Sequence, residues 1–121
     1  MDPVTEDEIL ADIRRERERQ DEKWGEENHK DGTGSLYCPP QAIFNNGLPY
    51  SSLAARMRRI VDGDSEMQGQ TTWLKILLEE VLEAAACDDV EELDDELNQI
   101  AAVAVQWRAA IQRRRDAVAG L

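Results

Sequence analysis

A periodic apolar stripe in the last third of the chain most constrains how this sequence can fold. Its members recur at intervals of four, three, four, three and four residues, and they are Leu93, Leu97, Ile100, Ala104, Trp107 and Ile111. This spacing puts all of them on one face of an α-helix, as is typical of a helix that packs in a bundle. Because Glu92 follows Asp89 at the spacing of a capping pair, we predict that Asp89 caps this helix and that the helix extends to about Val118.

Three shorter helices are predicted before this one. Apolar positions at helical spacing predict helices over Thr5 to about Lys23, Leu53 to Asp62 and Trp73 to about Cys87. The predicted caps are Thr5 for the first helix, Ser51 or Ser52 for the second, and Thr71 or Thr72 for the third. Aromatic residues make up only 5% of the chain, which is poor material for a sheet, so we expect an all-α protein.

A long loop separates the first two helices. The stretch from about residue 25 to residue 52 carries four glycines and three prolines, which interrupt helices and strands alike. A connection of this length is usually either functional or mobile. Residues 63–70 are predicted to form a second, shorter linker. We expect the 121 residues to form one domain, and with 41% hydrophobic residues its core is thin enough that oligomerisation would complete it.

The balance of charge and the scarcity of cysteine and histidine exclude several classes of protein. Lys and Arg number 14 against 26 Asp and Glu, a formal net charge of −12, so we expect no binding of nucleic acid or anionic membranes through a cationic face. No apolar run approaches the roughly 20 residues that span a bilayer. A single histidine excludes a structural zinc site of Cys and His. Two cysteines are too few for a disulfide framework, and the acidic first ten residues lack a signal-peptide pattern, so we expect a cytoplasmic protein.

Acidic residues concentrate where the third predicted helix meets the fourth. Residues 79–96 contain ten Asp or Glu and no Lys or Arg. On a helical wheel, Glu80 falls at the edge of the apolar face of the third helix, and Glu96 falls inside the apolar sector of the fourth. Antiparallel helices joined by a short turn can therefore bring Glu80 and Glu83 opposite Glu96 and either Glu92 or Gln99.

Carboxylates that converge at the edge of a core repel one another and lose solvation. We expect no nearby Lys or Arg to neutralise them, whereas a divalent cation would do so. Oxygen-only ligands favour Mg²⁺ or Mn²⁺ over Zn²⁺. The alternative is that the acids point into solvent, and for Asp88, Asp89 and Glu91 we accept it because acids favour helix N-termini.

Three stretches of the sequence resemble one known family. EEVLEA (79–84), EELDDELNQIAAVAVQW (91–107) and RQDEKWGEENHKDGTG (19–34) are similar to segments of the MazG-like all-α nucleoside triphosphate pyrophosphohydrolases, especially small members from phages and actinobacteria. The resemblance implies a four- to five-helix bundle that forms a homodimer or homotetramer. It also implies magnesium-dependent hydrolysis of a (d)NTP to the (d)NMP and pyrophosphate, in control of a nucleotide pool. Phage relatives make a purine substrate such as dGTP one candidate.

The resemblance also assigns roles to particular residues. Glu80 and Glu83 match the metal ligands of the family's EExxE motif, and Glu83 is our candidate for the group that accepts a proton from the attacking water. The second pair of ligands stays open. Glu92 and Asp95 keep the family's ExxD letters, whereas the helical wheel favours Glu96 and Gln99, with Glu92 as a replacement ligand one turn away.

Substrate-binding residues are expected among the few basic and aromatic side chains. Lys23, His29, Arg56 and Arg59 are candidates for the phosphates, and Trp24 is a candidate for stacking on the base. Trp73 and Trp107 are expected in the core. Two other functions fit the same composition: an acidic helical adaptor or inhibitor without enzymatic activity, and a degenerate family member that binds a nucleotide without hydrolysing it.

Overall fold

A computed structural model describes residues 3–41, 47–66 and 71–120 of the chain. These residues form four α-helices and no strands, which confirms the all-α prediction for this part of the chain. The helices are α1 (Pro3–Trp24), α2 (Tyr50–Glu66), α3 (Trp73–Ala85) and α4 (Val90–Val118). No helix in the described ranges is long and apolar enough to cross a membrane.

Two of the predicted helix caps are confirmed. The Thr72 hydroxyl accepts a hydrogen bond from the backbone N–H of Lys75 at 3.2 Å, and Thr72 itself has an extended backbone, as an N-cap requires. The Asp89 carboxylate accepts the backbone N–H of Glu92 at 3.3 Å, at the start of α4. The prediction for the end of α3 was two residues too long, because the chain leaves the helix at Ala86, whose N–H still bonds to the Leu82 carbonyl.

The prediction for α2 was wrong at both ends. The carbonyl of Pro49 accepts the backbone N–H groups of Ser52 and Leu53 at 3.0 and 3.2 Å, so the helix begins at Tyr50 and neither serine caps it. At the other end the helix continues through Gly63 to Glu66, and the Asp64 carboxylate pairs with the Lys75 ammonium of α3 at 2.7 Å. α2 thus continues past Gly63 although a glycine inside a helix costs about 1 kcal/mol, and the ion pair joins this last part of α2 to α3. The rest of the predicted linker, residues 67–70, lies outside the described residues.

α1 begins at Pro3, two residues before the predicted start at Thr5, and ends at Trp24. The contacts within the chain group its residues into two compact units. One holds α1 and the part of α4 from Ala104 onward. Its core consists of Ile9, Val105 and Ala109. Arg108 and Asp12 form an ion pair at 2.8 Å.

The other unit, residues 32–103, holds α2, α3, the first half of α4 and part of the long loop. Here α2 packs along α3, and the buried side chains include Ala54, Met57, Ala84 and Leu93. The apolar stripe predicted for α4 is only partly buried: Leu93 is 7% exposed, whereas Leu97 is 50% exposed. Periodicity identifies a helix face, but the elements packed against that face decide which of its positions are covered.

Part of the long loop is attached to the turn between α3 and α4. The backbone N–H of Gly34 donates to the Ala85 carbonyl at 2.9 Å, and that of Ser35 donates to the Asp88 carboxylate at the same distance. The Ser35 carbonyl in turn accepts the Ser51 hydroxyl at 2.6 Å. Gly34 has a φ of 153°, and a Cβ there would lie 2.6 Å from the Tyr37 ring, so this close approach requires glycine. The loop is therefore fixed beside the first turn of α2.

Replacing Asp88 with alanine should release this attachment, because the Ser35 N–H loses its acceptor. We expect the Gly34 and Ser35 amides to exchange with solvent about fivefold faster or more, measured by hydrogen–deuterium exchange. Asp94→Ala is the matched control, since Asp94 is an exposed aspartate of the neighbouring helix α4, and it should leave these amides unchanged. Equal exchange in all three proteins would contradict the attachment.

Candidate metal centre

Three glutamates from two helices converge in the unit formed by residues 32–103. α3 supplies Glu80 and Glu83, whose spacing of three residues puts them on one side of the helix. α4 supplies Glu96. One carboxylate oxygen from each of the three lies within 4.8 Å of the other two, and all three residues are partly buried. The structure therefore brings together three of the five residues predicted as metal ligands, and we call these three the glutamate cluster.

A small open cavity lies beside the glutamate cluster, with a volume of about 280 Å³. Glu83 and Glu96 line it, and so does Glu92, which is exposed. Gln99 and Asp95 are also exposed but do not line this cavity. Of the two ligand pairs left open by the sequence, one member of each, Glu96 and Glu92, thus faces the cavity.

The carboxylates of the cluster are poorly compensated. One oxygen of Glu80 and one of Glu96, the Oε2 atom in each case, are buried without a hydrogen-bond partner among the described residues. Burial, a hydrogen bond to the Glu96 side chain and the charge of Glu83 together raise the pKa of Glu80 to about 7. A protonated Glu80 can donate to Glu96, and this sharing of a proton relieves the repulsion between the two groups. A bound cation would relieve it in the same way.

An arginine from α2 neutralises part of the cluster. Arg58 donates to a single oxygen of Glu83, Oε1, from Nε at 3.1 Å and from Nη2 at 2.7 Å. The expectation that no basic residue lies near the carboxylates was therefore wrong, because it considered only residues 79–96. The pair raises the pKa of Arg58, mainly through its hydrogen bonds to Glu83 and the charge of that carboxylate.

Arg58 is the functional candidate that sequence reasoning missed. The predicted phosphate-binding residues Arg56 and Arg59 lie on the same helix, but neither of them lines the cavity. The spacing carries no signal for Arg58, because Ala55 precedes Arg59 at the same interval as Ala54 precedes Arg58. Only the packing of α2 against α3 distinguishes the two arginines.

The other groups near the cluster have no catalytic assignment. The Cys87 thiol donates to the backbone carbonyl of Glu83 at 3.2 Å. Burial, followed by the charges of Glu96 and Glu92, raises its pKa, which keeps it a neutral thiol and a poor nucleophile. Burial and the charge of Glu83 also raise the pKa of Glu79.

The remaining predicted substrate residues belong to the unit that contains α1. The Lys23 ammonium lies 4.6 Å from the centroid of the Trp24 ring, a cation–π contact, and Trp24 is 57% exposed. Trp24 lines an open cleft at the end of α1 together with Arg17 and Gln20. The His29 ring lies 3.2 Å from the Glu27 carboxylate. Their proposed role toward a nucleotide stays a prediction. The two tryptophans expected in the core, Trp73 and Trp107, are both partly buried.

Comparisons with protein-family models, with curated proteins and with solved structures find no match for this chain. The resemblance to the MazG-like family therefore rests on the sequence motifs alone. The donor set itself fits a hard divalent cation, because it offers only carboxylate oxygens and two of these are buried without a partner. The three residues fit Mg²⁺ or Mn²⁺ better than Zn²⁺, which prefers nitrogen and sulfur ligands.

The raised pKa of Glu80 predicts how stability depends on pH when no metal is present. The folded chain binds this proton more tightly than the unfolded chain, whose carboxyl titrates near 4.5. The stabilisation is therefore complete below the unfolded value and is lost as the pH rises through about 7. In EDTA, the melting temperature of the wild type minus that of Glu80→Gln should fall by a few degrees between about pH 5 and pH 8.

Glu91→Gln is the matched control, since Glu91 is an exposed acid in the first turn of α4. Its melting temperature should follow the wild type across the same pH range. Parallel curves for the wild type and Glu80→Gln would show that Glu80 is not the group responsible.

Proposed function

We propose that this chain is a metal-dependent nucleoside triphosphate pyrophosphohydrolase of the MazG-like type, which converts a (d)NTP to the (d)NMP and pyrophosphate. The observation that carries the proposal is the glutamate cluster: Glu80, Glu83 and Glu96 lie within 4.8 Å of one another, beside an open cavity. The same glutamates fall in two of the three stretches of sequence that resemble the family, residues 79–84 and 91–107. An acidic adaptor would be served better by fully exposed carboxylates, so the burial of the cluster favours the enzyme.

The proposed site assigns separate tasks to its residues. Glu80, Glu83 and Glu96 would hold Mg²⁺ or Mn²⁺, and Glu92 could add a ligand from the cavity wall. The chemistry that such an ion supplies when bound is neutralisation of phosphate oxygens and a lowered pKa for bound water. Glu83 is our candidate to accept the proton of the water that attacks the α-phosphorus. Its ion pair with Arg58 holds the carboxylate at the cavity wall, where either role needs it.

The proposal includes an oligomer that acts in the cytoplasm. Leu74, Leu78 and Val81 follow one another along one face of α3 and are 60%, 40% and 42% exposed. Apolar side chains exposed at this spacing are typical of a helix that packs against a second surface. A homodimer or homotetramer would cover them. A purine deoxynucleotide such as dGTP is the candidate substrate, and control of a nucleotide pool is the candidate role.

The direct test is to incubate the chain with each (d)NTP, with and without Mg²⁺ or Mn²⁺, and to separate the products. We expect nucleoside monophosphate and pyrophosphate only when the metal is present. Glu80→Gln should lower turnover by about a hundredfold or more, because it removes one of the three carboxylates proposed to hold the metal. Glu91→Gln should retain wild-type turnover.

Other outcomes would point to other functions. Diphosphate and phosphate as products would contradict attack at the α-phosphorus. Metal-dependent nucleotide binding without products would favour the degenerate family member. Binding of a protein partner that Glu80→Gln leaves intact, with no hydrolysis of any (d)NTP, would favour the acidic adaptor.

A further inference from the structure

We propose that Arg58 is a phosphate-binding residue, which Glu83 holds at the cavity while no substrate is bound. When a divalent cation binds the glutamate cluster, the Arg58 guanidinium leaves the Glu83 carboxylate and binds a phosphate of the substrate. The inference rests on the proposed function and deepens it. It adds to the site a residue that binds phosphate, which neither the motif EEVLEA nor the predictions of Arg56 and Arg59 identified.

The hydrogen bonds between Arg58 and Glu83 use only some of the donors of Arg58 and one of the two carboxylate oxygens of Glu83. A guanidinium has five N–H donors, and Arg58 uses two of them on one oxygen of Glu83. The second oxygen, Oε2, receives neither of these bonds. The Glu83 side chain is 18% exposed, whereas that of Arg58 is 56% exposed. Arg58 is therefore the more solvent-exposed partner of the pair, and it lines the open cavity that a substrate would enter.

Because the wall of the cavity is acidic, a phosphate can bind there only if a positively charged group contacts it. Three of its lining residues are acids, namely Glu83, Glu92 and Glu96. Among the described residues that line it, Arg58 is the only base. A triphosphate that approaches this wall meets repulsion from the carboxylates, and a metal-bound cluster offsets only part of it. The planar fork of a guanidinium matches two phosphate oxygens, so Arg58 has the geometry as well as the charge to bind one.

Arg58 is expected to leave Glu83 because the guanidinium and the metal ion compete for the same carboxylate. An exposed ion pair is weak, and a dication that shares the same carboxylate both competes for its oxygens and repels the guanidinium. Arg58 should therefore lower the affinity of the nucleotide-free chain for the metal. Once Glu83 binds the metal ion, the guanidinium of Arg58 is free to bind the phosphates from its position in the cavity wall. Metal and triphosphate should then bind cooperatively, because each favours the same position of Arg58.

Isothermal titration calorimetry on the full chain separates the two halves of this proposal. In the first titration, MnCl₂ is added to metal-free protein without nucleotide. We expect Arg58→Gln to bind Mn²⁺ about three- to tenfold more tightly than the wild type, because the competitor is gone. Arg113→Gln is the matched control for the lost charge, since Arg113 is an exposed residue of α4 in the other unit, and it should bind Mn²⁺ as the wild type does.

In the second titration, inorganic tripolyphosphate is added to protein at saturating Mn²⁺, a probe that does not depend on the base. We expect Arg58→Gln to bind it about ten- to a hundredfold more weakly than the wild type. Arg58→Lys keeps the charge without the fork and should lie between them. Circular dichroism of each variant verifies that the helices are intact.

The outcomes distinguish this proposal from the function on which it rests. Absence of Mn²⁺ binding by the wild type would overturn the proposed function and this inference together. Mn²⁺ binding by the wild type that is unchanged or weaker in Arg58→Gln would overturn the competition and leave the proposed function intact. Tighter Mn²⁺ binding with undiminished tripolyphosphate binding would overturn the phosphate role, and Arg58 would then be only a counter-ion of Glu83.

Discussion

The packing of Glu80 against Glu96 is the interaction on which the rest of the candidate site depends. These carboxylates come from different helices, and each has a buried oxygen without a hydrogen-bond partner among the described residues. Like charges held this close are tolerated only when a proton, a base or a metal ion compensates them. The chain supplies the first through the raised pKa of Glu80 and the second through Arg58 beside Glu83. A divalent cation, as proposed for this site, would compensate the negative charge that remains.

The turn between α3 and α4 connects the cluster to the long loop. The four residues from Ala86 to Asp89 reverse the chain and set Glu96 opposite Glu80 and Glu83. The same turn, through Asp88, accepts the backbone N–H of Ser35. The loop then reaches the first turn of α2 through Ser51, which itself lines the cavity. Residues 34 and 35 of a loop rich in glycine and proline are thus attached to elements that line the cavity.

Local signals predicted those parts of the fold that depend on neighbouring residues. Thr72 and Asp89 were identified as caps because a capping side chain bonds to a backbone N–H only a few residues away. The start of α2 could not be predicted in this way. Ser51, which looked like a cap, donates instead to Ser35, sixteen residues earlier. The part of α2 beyond Gly63 likewise makes a contact with Lys75 of another helix, which no local signal records.

The sequence alone placed Glu80 at the apolar edge of one helix and Glu96 inside the apolar sector of the next, because the rise and turn of an α-helix follow from residue spacing. A short connection between those helices made their convergence predictable as well. Only the tertiary structure decided which base meets them. Arg56, Arg58 and Arg59 differ in direction by the turn of the helix, and the rotation of α2 against α3 selects Arg58. That rotation is set by long-range packing, around Ala54, Met57 and Ala84, which no local spacing records.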